Sequence, residues 1–112
     1  MSEQELIEEV VAALTEELNE DADFSENILR VKVKSVVREF KNRRNYIATS
    51  MDSKAIEEDM ERFYSTILDV SRYDYNQRGA EGQESHADNG VTRKWVDRNK
   101  LWMNVHPFVK VM

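Results

Sequence analysis

Few residues in this chain have the type and spacing that chemistry requires. The only histidines are His86 and His106, and neither has a second ligand three or four residues away. Glu84 and Asp88 flank His86, but a turn carrying one imidazole and two loosely placed carboxylates gives weak metal geometry. There is no cysteine, hence no thiolate ligand, no sulfur nucleophile and no disulfide framework. Ser71 and Ser85 lack the histidine and carboxylate that would activate a hydroxyl. Gly79-Ala80-Glu81-Gly82 has the composition of a phosphate loop, yet it follows a helical stretch, so no helix N-terminus faces a phosphate. The acids spread over the helical segments read as solvated surface charge. The expectation is no enzyme, no metal and no cofactor.

One carboxylate stands out. Asp74 lies on the apolar side of a long helical pattern and close to its C-terminal end, where negative charge is disfavoured. A buried carboxylate needs partners. The expected ones are backbone N–H groups of the following loop, Arg78 or Arg93; the other reading is a frayed helix end with Asp74 in water.

The elements that must hold it read as a small helical bundle. At 112 residues and 40% hydrophobic content the chain makes one domain, 1–112, with a thin core. Ser2 and Glu5 form a capping box, with Met1 and Leu6 as a staple. Leu6, Ile7, Val10, Val11, Leu14 and Leu18 then recur at helical spacing, giving a first helix over about 3–19. Asp23 and Glu26 repeat the capping-box spacing and open a second helix over about 24–43. Val31-Lys32-Val33-Lys34 alternates like a strand, but Leu29, Val33, Val36, Val37 and Phe40 keep one helical sector over too long a window for that. Residues 42–51 form a connector. A third helix spans about 52–78, buries Ile56, Met60, Phe63, Tyr64, Ile67, Leu68 and Val70, and stops at Gly79.

Beyond residue 78 the pattern changes. Asn89-Gly90 is a strong hairpin signal, because both residues tolerate positive φ, and the expected β-hairpin covers about 83–96. A lone two-stranded ribbon is marginal in water and needs support from the domain or a neighbour. Asp97 caps a single turn through Asn99–Trp102. Pro107 enforces an extended path, so the apolar tail of residues 105–112 either adds a strand locally or docks on a partner.

Charge separates sharply along the chain. Residues 1–29 hold ten acids and no Lys or Arg, after which Arg30, Lys34, Arg38 and Lys41 form a basic stripe on the second helix. The two helices are expected to attract each other within one chain, and the same pairing is available between subunits. The net charge of −6 argues against a sequence-independent grip on DNA. No apolar run is long enough to span a bilayer, and the acidic N-terminus is unlike a signal peptide, so a cytoplasmic protein with no membrane partner is expected.

Arg43-Arg44-Asn45-Tyr46, Tyr73-Asp74-Tyr75-Asn76, Gly79-Ala80-Glu81-Gly82, Ser85-His86, Asn89-Gly90 and Pro107-Phe108-Val109 together resemble the tailed-phage head–tail connector family, the adaptors also labelled DNA-packaging or head-completion proteins. The likeness covers about residues 30–112. It implies a mostly helical virion protein, made in the bacterial cytoplasm and placed in the virion neck. There it would form a ring, dodecameric when docked, between the portal protein and the next tail-side neck protein. Double-stranded DNA would pass along its axis without sequence specificity.

Carried onto this chain, the subunit-interface or channel candidates are Asp74, Tyr75, Asn76, Gly79, Glu81, Gly82, Asn89, Gly90, Arg93 and Trp95, within a loop and hairpin arm of residues 79–96. Pro107, Phe108, Val109 and Val111 are the portal-docking candidates. Many family members carry a neutral or apolar residue where Arg78 stands, so whether Arg78 binds Asp74 or faces a neighbour stays open. The competing readings are a helical DNA-binding module using Arg30, Lys34, Arg38 and Lys41 on phosphates, and an antitoxin-like helical interaction protein.

Overall fold

The computed structural model of the chain describes residues 1–77 and 98–109. It is a bundle in which α1 (Glu3–Leu18) and α2 (Glu26–Arg44) are followed by a 3-10 turn (Tyr46–Ala48), α3 (Ser53–Arg62), α4 (Tyr64–Asn76) and the one-turn α5 (Arg98–Leu101). Among the described residues there is no strand. The expected hairpin, the Gly79 helix stop and the Asp97 cap all lie outside them. No described helix is long and apolar enough to cross a membrane.

α1, α2 and α3 each start where a side chain satisfies a free N–H group, whereas α4 follows Phe63 with no side-chain cap. Ser2 and Glu5 make the reciprocal capping box of α1. On α2 the cap is Ser25, whose hydroxyl accepts from the Ile28 N–H, and not Asp23. The Asp23 N–H is instead bonded within the preceding turn, to the Asp21 carboxylate. Asp52 caps α3 by accepting from the Ala55 N–H at 2.8 Å. At the far end of α2, Asn45 takes the left-handed conformation (φ 58°, ψ 52°), which turns the chain sharply into the 3-10 turn.

The expected third helix is two helices. Its run breaks at Phe63 (φ −103°, ψ 18°), whose N–H bonds to the Met60 carbonyl three residues back. No glycine or proline marks the spot. The Phe63 ring packs 5.4 Å from that of Phe40 and 4.9 Å from the Arg44 guanidinium. Tertiary packing therefore accompanies a break that local propensity does not encode. The run also ends at Asn76, two residues short of the expected Arg78.

The ion pairs give the topology. Glu3 meets Lys41 and Glu8 meets Arg30, so α1 and α2 run antiparallel. The Met1 amino group meets Glu61 in the last turn of α3, and Glu17 meets Arg72, so the chain from the end of α3 through α4 runs parallel to α1. The core is the shared interior of this up-down-up bundle. α1 supplies its expected apolar face, α2 supplies Leu29, Val33, Val36, Val37 and Phe40, and the third run supplies Met60, Ile67, Val70 and Tyr75. Trp102 and Val105 from the C-terminal segment close it.

Candidate interaction site

The polar features that organise the C-terminal half are two arginines. Arg44, the last residue of α2, sits where three elements converge. Its Nε and Nη2 donate to the two carboxylate oxygens of Asp59 on α3, at 2.9 and 2.8 Å. Tyr46 donates its hydroxyl to the same carboxylate at 2.6 Å. Asp59 is only 1% exposed, so these bonds replace the water it has lost. Burial pushes its carboxyl upward, yet the bonds from Arg44 and Tyr46 prevail and hold it below the usual aspartate value. For Tyr46, burial and the adjacent carboxylate both push the phenol up, so it stays a neutral donor.

Arg44 also holds the tail. Its Nη1 donates to the His106 carbonyl at 2.7 Å, and its own carbonyl accepts the Phe108 N–H at 2.8 Å. The Phe108 ring lies 4.0 Å from the guanidinium and 6.0 Å from the Tyr46 ring. Asn45 completes the hold by donating to the Phe108 carbonyl. The extended path imposed by Pro107 thus lets one residue be gripped through backbone and ring at once.

Arg98, the first residue of α5, is the second hub. Its Nε and Nη2 donate to Asp74 at 2.7 and 2.9 Å, while Nη1 and Nη2 donate to Glu39 at 3.2 and 2.8 Å. Hydrogen bonds from Arg98, then from Arg43, hold the Glu39 carboxyl below its usual range against burial. Those same carboxylates raise the Arg98 guanidinium further above its ordinary value. Arg43 lies over the buried Trp102 ring at 4.7 Å. The outcome is that Asp74, in the last turn of α4, and Arg98, at the start of α5, are tied to one spot on the bundle.

Asp74 is therefore held by a protein partner, but the partner is Arg98; Arg78 and Arg93 lie outside the described residues. Tyr75, expected at an interface or channel, is a core residue. It is 1% exposed, and its hydroxyl accepts the Ser25 N–H at 2.9 Å. Asn76 is exposed at the end of α4. Gly79, Glu81, Gly82, Asn89, Gly90, Arg93, Trp95 and Val111 lie outside the described residues. Pro107 and Val109 are exposed, whereas Phe108 is half-buried against its own chain.

The basic stripe is split by function. Arg30 is taken up by Glu8 and Glu26, and Lys41 by Glu3, all within the chain. Lys34 and Arg38 are exposed and form no ion pair among the described residues. That leaves two cations rather than four for a phosphate backbone, which weakens the DNA-binding reading.

An open groove of about 480 Å³ runs between the α1 start, the α2 end and α3. Ile56, Met60 and Tyr46 contribute apolar lining, and the Glu3–Lys41 pair lies at it, already mutually satisfied. Sequence reasoning missed Arg44, Asp59, Glu39 and Arg98 as organising residues. For Asp59 a signal was present: like Asp74, it is an acid beside the apolar stripe, three residues after Ile56 and next to Met60.

The class these features define is a small helical bundle whose polar chemistry is spent on fixing chain segments. Comparison with family models, with characterised proteins and with solved structures finds no match.

Proposed function

We propose that the chain is a head–tail connector of a tailed phage, a structural adaptor that assembles as a ring beneath the portal and lines part of the DNA channel. The reading rests on the resemblance of residues 30–112. The observation that best supports it is the Asp74–Arg98–Glu39 knot. The knot ties the end of α4 to the start of α5, the two flanks that an arm reaching a neighbour would need held together.

The tail supports the same reading. Phe108 is anchored on Arg44, and the next residue, Val109, is 79% exposed. Val109 is thus presented at the surface next to an anchored residue, as docking into a portal groove requires. Excess negative charge suits a channel wall past which DNA slides without being held.

The test is direct mass measurement of the purified chain, alone and mixed with the portal ring of its own phage. Stoichiometric capture by the portal, lost on deletion of residues 108–112, is expected. A chain that never co-sediments with the portal sinks the proposal.

A further inference from the structure

We infer that neighbouring copies of this chain join through the outward faces of α1 and α2, the acidic face of one copy lying on the basic face of the next. The inference deepens the ring reading by naming the surfaces that would close it, though its geometry is that of this chain alone.

At about 100° per residue, the buried residues of α2, Leu29 to Phe40, define one side of the helix. Val31 and Arg38 lie opposite it, with Ser35 between them and Lys34 on the α1 flank. All four are exposed, and Val31 is 62% so, although it is a β-branched apolar residue on a helix otherwise rich in charge. Lys34 and Arg38 have no ion-pair partner among the described residues, whereas the flanking Arg30 and Lys41 do. The face therefore combines an uncovered apolar centre with positive charge, that of Lys34 acting in part on Glu8 of its own chain.

On α1 the outward side carries Glu5, Glu9, Ala12 and Glu16, all exposed. Glu9 and Glu16 form no ion pair among the described residues, while Glu3, Glu8 and Glu17 are used inside the chain. Ala12 leaves a shallow place between the acids that an exposed Val31 fits.

The two faces lie on different helices of the bundle. Contact of the α1 face of one copy with the α2 face of the next is head-to-tail, and head-to-tail contacts give rings when the rotation closes. A duplex DNA occupant is less well matched, because it would meet only two free cations and an uncovered valine. A second copy supplies both the acids and the small-residue gap.

The experiment uses two reversed variants of the full chain, E9K/E16K and K34E/R38E, followed by analytical ultracentrifugation. Wild type should self-associate reversibly, and less so as salt rises above about 0.1 M, where screening acts within roughly 10 Å. Each variant alone should be monomeric, since its two faces now carry the same sign. Their equimolar mixture should associate again, because every contact is then between opposite charges.

Val31→Asp, at a position with little burial to lose, should abolish wild-type association. Matching circular-dichroism melts for all variants would show that folding is retained. A mixture that stays monomeric overturns the inference, as does wild-type protein that is monomeric at every concentration. Salt-steep binding of random duplex DNA that depends on Lys34 and Arg38, without self-association, also overturns it. Association without portal capture would keep these faces and remove the connector reading; portal capture without association would do the reverse.

Discussion

Replacing Asp59 by Asn tests whether the Arg44 hub holds the bundle and the tail together. The substitution keeps the volume and removes the charge. Arg44 then loses its carboxylate partner at 2.8–2.9 Å, and Tyr46 loses a charged acceptor at 2.6 Å. Breaking one side of a buried pair costs about 3–5 kcal/mol when the remaining charge is sealed in. Here Arg44 keeps the His106 carbonyl and its side chain is 12% exposed, so the lower end, about 3 kcal/mol, is expected. For a domain of this size that lowers Tm by on the order of 10 °C.

The pH dependence has a definite sign. The Asp59 carboxyl is held below its ordinary value of 3.8, so its contribution is complete above that pH and is lost as pH falls through the depressed folded-state value. The gap between wild type and Asp59→Asn, read from urea unfolding, should therefore be constant near neutrality and shrink in acid. The double variant Asp59→Leu, Arg44→Met removes both charges and their desolvation cost. It should recover much of the loss, less the tail contacts that Arg44 makes. A single variant that costs under about 1 kcal/mol, with no acid dependence of the gap, would refute the reasoning.

Two further outcomes follow from the knot and the turn. Arg98→Met should free α5 and expose Trp102, which is 3% exposed in the folded chain; in a Trp95→Phe background the remaining tryptophan emission should shift to the red, with a loss of about 2 kcal/mol after allowing for partly exposed partners. At Asn45 the left-handed conformation (φ 58°) penalises a Cβ without a compensating polar group, so Asn45→Ala should be about 1 kcal/mol less stable than Asn45→Gly in thermal melts, both having lost the bond to Phe108.

Much of the bundle was legible because helical periodicity is a local property. The apolar positions of α1 and α2 are those the spacing predicts, and the capping box at Ser2 and Glu5 forms as its residue types require. What escaped is whatever depends on a distant partner. The cap falls at Ser25 and not at Asp23, whose N–H is bonded within the preceding turn, and the Phe63 break is associated with a ring and a guanidinium supplied by α2. Tyr75 was misplaced for a related reason. It stands beside the polar residues Asp74 and Asn76, yet its hydroxyl is satisfied by the start of α2, fifty residues earlier in the chain.

The two buried-face acids show where reading a sequence for function reaches its natural limit. An acid on an apolar stripe signals that a cation must come to it, and both Asp59 and Asp74 obey that rule. The rule does not name the cation, because reach along the chain is cheap once a bundle has formed: closing a longer loop adds cost only logarithmically. Arg44 is fifteen residues from Asp59, and Arg98 is twenty-four from Asp74. Arg98 also reaches a second carboxylate, since it serves Glu39 as well. A planar fork that satisfies two carboxylates fixes three elements at once, so Asp74 is better understood as a fastening point for α5 than as a group awaiting a ligand.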